Sequence, residues 1–345
     1  MRVTLRHTVG PLIVGTLLAL TWPVPAQGQV STASASSQPQ PARQTPARRV
    51  TFGSAAGGDR LVTPTGHDVN VSLGSYTYAE PGATAISIHG PKFGGEYTGT
   101  GSLSKRQHWF AQANVRGAFG NVTYTGWCSP WLINPNSASP NGYELDEGAA
   151  SPCSETGDRD WYLEGRALVG KDLIRHEWGL SPYTGLGLRH LSNGTNGTPG
   201  YRIDNYLYLP LGATARTELA SHRMLSFTLE YDRLLHGWQT THDSELGGGS
   251  VPATPTAPAF TINGFTDVSF SQQGGWALRA SAKYQVTTHW SVEPYYIRWS
   301  VTASPANNET VSFTVNTVTA NEQLGFYEPF NVTNEFGVKL GLHFK

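Results

Sequence analysis

Hydrophobic and polar residues alternate with a period of two along most of the chain from about Val69 onward, and no stretch carries a convincing period of 3.6. The closing segment shows the pattern best. Phe336, Val338, Leu340, Leu342 and Phe344 fall on one face, and Glu335, Gly337, Lys339, Gly341 and His343 on the other. Elsewhere Trp161, Leu163, Ala167 and Val169 oppose Tyr162, Glu164 and Arg166, while Leu225, Phe227, Leu229 and Tyr231 oppose Ser226, Thr228, Glu230 and Asp232. Leu207, Leu209 and Leu211 oppose Tyr206 and Tyr208 in the same way, and Trp276, Leu278 and Ala280 oppose Arg279, Ser281 and Lys283. The pattern predicts about ten strands, give or take two, near 69–80, 86–99, 107–124, 159–173, 179–192, 201–216, 222–236, 266–285, 288–302 and 332–345. A greasy face backed by charge and glycine separates lipid from a polar interior, so the expected fold class is all-β: a transmembrane antiparallel up-and-down β-barrel.

The spacing between strands supports closure. Short turns are expected near Gly101–Lys105, Ile174–Trp178, Thr217–Ser221 and Thr287–Thr288, and long polar loops over 125–158, 193–200, 237–265 and 303–331. Sorting short turns to one end and long loops to the other is the habit of outer-membrane barrels, with turns in the periplasm and loops outside. Trp109, Trp178, Trp290 and Phe344 are expected to mark the periplasmic interface, and Tyr124, Trp161, Trp238 and Trp299 the outer one.

The N-terminus adds a compartment. Arg2 and Arg6 precede an apolar run from Val9 to Trp22, closed by Pro23, Pro25 and small residues, which is the plan of a secretory signal peptide cut after Ala26 or Gly28. The run falls short of the roughly 20 residues of a transmembrane anchor. The expected organisation is a signal peptide over 1–28, a flexible leader over 29–68 rich in Ser, Ala, Gln and Pro, and the barrel over 69–345. Export to an oxidising compartment favours a disulfide between Cys128 and Cys153 over free thiols.

Composition agrees. Charged residues are 14% of the chain, against roughly 25% in an ordinary soluble domain. A net charge of -1 supplies no field to attract nucleic acid. By strand face, Arg116, Arg166, Arg189, Arg216, Arg279, Lys283 and Lys339 point into the lumen with Glu164, Asp204, Glu230, Asp232, Glu293 and Glu335. Seven cations against six anions suit an internal salt-bridge network, whereas an ion-selective pore would carry a ring of one sign. About ten strands also make a narrow barrel, since eight are nearly filled by side chains. A largely plugged lumen with long extracellular loops follows, in a structural or surface-interaction role or as a narrow pore, with no cofactor.

The segments WYLEGRALVG (161–170), LSPYTGLGLR (180–189) and NYLYLPLG (205–212) resemble a poorly characterised family of Gram-negative outer-membrane β-barrels, small OmpA-like or porin-like proteins. The tail TNEFGVKLGLHF (333–344) resembles their closing strand. That resemblance implies residence in the bacterial outer membrane, contact with its lipid and lipopolysaccharide, and delivery by the barrel-assembly machinery through Phe344, although Lys345 displaces the aromatic from the last position. A second, local resemblance gives a different function. His190, Ser192 and Asn193 look like the His-x-Ser-Asn element of lipid A 3-O-deacylases, which implies a serine esterase with His190 as base, Ser192 as nucleophile, and Asp204 or Glu218 as the orienting acid. His236, His242, Asp243 and Glu245 gather in one outer loop, where exposed polar residues collect by chance, and no metal site is expected. Scattered carboxylates such as Asp158, Asp160, Asp232 and Asp243 do not form the paired acids and Asp-His dyad of an outer-membrane protease.

Overall fold

The computed structural model describes residues 60–82, 86–193, 202–219 and 223–345, all within one compact unit that spans Val50–Lys345. The expected signal peptide and most of the expected leader lie outside the described residues. In chain order the strands are β1 (Gly66–Glu80), β2 (Ile86–Ser104), β3 (Trp109–Cys128), β4 (Trp131–Pro135), β5 (Tyr143–Glu147) and β6 (Ser151–Lys171). There follow β7 (Leu173–Arg175), β8 (Trp178–Asn193), β9 (Arg202–Glu218), β10 (Met224–Thr241), β11 (Gly249–Val251) and β12 (Phe260–Phe265). The last six are β13 (Val268–Gln272), β14 (Gly275–Gln285), β15 (Trp290–Val301), β16 (Asn307–Val315), β17 (Val318–Phe326) and β18 (Asn331–Phe344).

Ten of them close an antiparallel ring in the order β1, β2, β3, β6, β8, β9, β10, β14, β15, β18, with β18 returning to β1. Closure satisfies every ladder and leaves no open edge, which is what a sheet needs where no water can hydrogen-bond its backbone. The burial pattern is the reverse of a water-soluble domain. Val71, Leu73, Phe93, Phe119, Leu163, Leu186, Leu229, Phe336 and Leu340 are exposed, while Lys92, Arg116, Glu164, Arg189, Glu230, Asp232 and Glu335 are buried inside the ring.

Three expectations are revised. The segment 266–285 is two strands, β13 and β14, both paired to β10 and parted at Gln273 and Gly274. The outer loops are not featureless polar connections. β3 and β6 run on past the wall and stay paired up to Cys128 and Ser151, where the Cys128–Cys153 disulfide ties them. Above the barrel β11, β12, β16 and β17 form a four-stranded sheet, and the β4–β5 hairpin packs its Ile133 and Leu145 against Phe260, Ile262, Val311, Phe313 and Val315. Each loop alone has too few apolar residues for a core, and only their convergence from distant parts of the chain builds one. Among the girdle residues, Trp109, Trp161, Trp178, Trp238, Trp290 and Phe344 are exposed as expected of an interface, but Trp299 is 1% exposed and points inward. It shares the lumen face of β15 with Glu293 and Tyr295, as period two demands.

Before β1 the chain crosses the narrow end of the ring. Leu61 and Thr63 are buried against β8, where the Thr63 amide and hydroxyl both donate to Asp172 at 3.0 and 2.5 Å. Gly179 lets this strap approach, since a Cβ there would lie 2.5 Å from the Leu61 carbonyl oxygen. By Gly66 the chain has reached the opposite wall, beside β2 and β18, so the first strand starts three residues earlier than the alternation alone indicated.

Candidate functional site

The barrel interior holds the densest chemistry in the molecule. At mid-height Arg279 lies with its Nε 2.6 Å from Asp232 Oδ2 and 3.2 Å from Glu230 Oε1, and its Nη2 reaches Glu164. Arg116 Nε meets the other Glu164 oxygen at 3.2 Å, and its Nη2 meets Glu335 at 3.3 Å. Arg166 Nη1 closes on Glu230 at 2.7 Å. Phenols fill the remaining acceptor positions: Tyr162 and Tyr295 donate to Glu335 at 2.9 and 2.7 Å, Tyr183 to Glu230 at 2.7 Å, and Tyr208 to Glu164. These side chains come from β3, β6, β8, β9, β10, β14, β15 and β18, so the knot is held from nearly the whole circumference.

Below the knot a cavity of about 230 Å³ opens toward the strap. Its charges are paired: Lys339 with Glu96 at 2.7 Å and Glu293 at 3.5 Å, and Lys283 with Asp68 at 3.0 Å. Near the mouth Arg216 donates to Ser181 and lies 3.8 Å from Asp172, in the cluster that fastens Thr63. Above the knot Lys92 pairs with Asp160 and sits over the Tyr76 ring at 3.4 Å. The Arg189 guanidinium stacks 4.5 Å over Tyr162 and faces Trp299. At the top, Arg202 bridges Glu80 and Glu328 at 3.1 and 3.3 Å.

All thirteen charges assigned to the lumen by strand face lie on the interior side, but they form separate layers. Arg116, Glu164, Arg166, Glu230, Asp232, Arg279 and Glu335 make the central knot, whereas Lys283, Glu293, Lys339 and Arg216 lie below it and Arg189 and Asp204 above. Lys92, Glu96 and Asp160 also face the lumen and obey the same counting: Phe93 faces out, so Lys92 and Glu96 face in, and Asp160 follows from Trp161. Glu328 lies between strands, where period two says nothing, and only the tertiary structure brings it to Arg202.

The esterase constellation does not assemble. His190 and Asn205 are a cross-strand pair joined at 2.8 Å through His190 Nδ1, and the imidazole leans on exposed Trp161 with ring centres 5.1 Å apart. Ser192 follows on the same outward side but is only 2% exposed. Asp204 pairs with Leu191, one residue out of phase, so its carboxylate lies on the opposite side of the sheet. Glu218 is at the far end of β9, bound to Arg60 at 3.1 Å. Neither candidate acid therefore orients His190. Among the described residues no three His, Cys, Asp or Glu side chains converge to hold a metal. His242 bonds Asp267 at 3.0 Å while His236 stacks on Trp238, 5.5 Å between ring centres.

No family model and no curated protein matches the chain. Solved structures do. The outer membrane protease OmpT from Escherichia coli aligns at 12% identity over 82% of this chain and 98% of its own, with a TM-score of 0.46. An outer membrane channel from Pseudomonas putida F1 aligns at 12% identity over 83% and 98%, with a TM-score of 0.33. The translocator domain of the autotransporter NalP from Neisseria meningitidis aligns at 10% identity over 84% and 92%, with a TM-score of 0.31. None of the three reaches 0.5, so neither the protease's nor the channel's activity is carried to this chain.

Proposed function

We propose that the chain is exported, inserted into the bacterial outer membrane, and serves there as a closed barrel that presents a folded cap outside the cell. The central knot carries this reading. A conducting pore needs a continuous wet path, whereas here salt bridges and phenols from eight strands meet across the lumen. Cations and anions alternate through the lumen and leave no ring of one sign to draw ions in. The cap, with its own apolar core and a disulfide at its base, is the part offered to partners. Phe344 suits recognition by the barrel-assembly machinery: it lies exposed at the end of the closing strand, stacked on His67 with ring centres 5.5 Å apart.

Planar-bilayer recording of the refolded protein tests the reading. Insertion without a stable conductance step is expected, and a large steady open channel would count decisively against it. An esterase role gains nothing from the geometry, because Asp204 and His190 occupy opposite faces of the wall. Lipid A from cells with and without the protein should show the same acylation by mass spectrometry.

A further inference from the structure

A polar rung crosses the upper part of the outer wall, with Leu235 and Trp238 exposed above it on β10. On β10 the outward side chains Phe227, Leu229 and Tyr231 are exposed, and the next one up is Arg233, also exposed. On β15 the outward run from Trp290 reaches Tyr296 and then Arg298. On β18, which descends, Asn334 precedes the exposed Phe336, Val338, Leu340 and Leu342. The His190–Asn205 pair occupies the corresponding place on β8 and β9, above Leu186, Leu188 and Leu207. That these positions face outward follows from their neighbours, since Asp232, Ile297 and Glu335 are buried in the lumen.

Two members of this rung are cations with no counter-ion. The Arg233 guanidinium makes neither a hydrogen bond nor an ion pair among the described residues, in contrast to those of Arg116, Arg166 and Arg279 inside. Arg298 donates once, from Nη1 to Asn334 Oδ1 at 3.1 Å, an oxygen that also accepts from Tyr296 at 2.8 Å, and it meets no carboxylate. The two arginines flank one strand: Arg233 pairs with Trp276 and Arg298 with Leu278 on β14. Two strand spacings across and one rung along separate their Cα atoms by roughly 12 Å. An uncompensated guanidinium at the rim of a lipid-facing wall is costly unless an anion meets it. Its planar fork matches phosphate oxygens in a bidentate way that an ammonium does not.

We propose that Arg233 and Arg298 clasp the phosphates of lipid A, with Trp276 between them at the sugar level and the apolar belt below receiving the acyl chains. The site rests on the outer-membrane reading above, because only in that orientation does the rung meet the outer leaflet. A diphosphorylated lipid fits better than a single-phosphate one, since the two arginines are too far apart to share one phosphate.

Native mass spectrometry in detergent tests this with diphosphorylated lipid A, enzymatically dephosphorylated lipid A and phosphatidylglycerol as probes. The unaltered protein should prefer diphosphorylated lipid A, Arg233→Gln and Arg298→Gln should each cost about tenfold in affinity, and the double variant should lose the preference. Arg233→Lys with Arg298→Lys keeps the charges and should bind at an intermediate level. The proposal is overturned if the double glutamine variant keeps the preference, or if phosphatidylglycerol binds the unaltered protein as tightly as lipid A. Heat-modifiable migration confirms that each variant is folded, and the lysine pair carries the test should the glutamine pair fail to refold. The two readings fail separately: an open channel in bilayers would sink the closed lumen and leave this site standing, while a chain that stays out of bilayers removes both.

Discussion

Glu164 is the residue on which the interior turns. It is wholly buried, takes Arg116 and Arg279 on its two oxygens, and accepts the Tyr208 hydroxyl. A buried ion pair contributes little net stability against a well-packed apolar substitute, but removing one partner strands the others without solvent. Glu164→Ala should therefore cost about 3–5 kcal/mol in equilibrium unfolding by urea, far more than alanine at an exposed wall position such as Leu229. Its lumen placement was legible from period two alone, because Tyr162, Glu164 and Arg166 share a face. Its partners were not, since Arg279 is 115 residues away and only closure of the ring brings them together. A second residue acts through space instead of charge. Gly179→Val places carbon where the Leu61 carbonyl lies and should expel the strap. Protease sensitivity before Gly66 should rise while the barrel still migrates as a folded species.

Among the elements, the cap departs furthest from what alternation alone suggests. Glu309 on β16 is 2% exposed, with Oε1 lacking a hydrogen-bond partner, and burial followed by repulsion from Asp243 and Asp267 pushes its carboxyl up to about 8. Because the folded cap holds this proton more tightly than the unfolded chain, the contribution is complete below the ordinary carboxylate range and is lost as pH rises through about 8. Hydrogen exchange in β12 and β16, corrected for intrinsic rates, should show protection falling from pH 6 to 9, and Glu309→Gln should flatten that dependence. The disulfide at the base of the cap closes a 25-residue separation, which corresponds to about 3.5 kcal/mol in the chain-entropy picture. Replacing both cysteines by serine should open residues 129–152 to proteolysis and leave the barrel intact. Alternation in Val311, Phe313 and Val315 was readable, yet nothing local indicated that β4 and β5 would complete that core.

For the molecule as a whole, the apolar wall, the interior knot and the folded cap act in different surroundings. In the outer-membrane reading proposed above the wall meets lipid, so the chain should show heat-modifiable migration on gels and precipitate without detergent. If the knot closes the lumen as proposed, conductance should stay absent in bilayers and appear only when its layers are broken, for example in Glu164→Ala combined with Arg279→Ala. In the proposed lipid site the rung of Arg233 and Arg298 meets the headgroup phosphates. His190 belongs to that rung, where its bond to Asn205 gives it an interfacial role that the motif alone did not suggest.

The sequence by itself determined the barrel, because period two and the sorting of long and short connections are local consequences of a wall with lipid on one side. It also determined which charges face inward, since one outward aromatic sets the parity of a whole strand, as Phe93 does for Lys92 and Glu96. Only the tertiary structure decided which charge meets which, how the outer loops share a core, and that Asp204 and His190 stand on opposite sides of one wall. Those outcomes depend on register between strands and on contacts across the lumen. Both are set when the ring closes, and neither leaves a periodic trace in the chain.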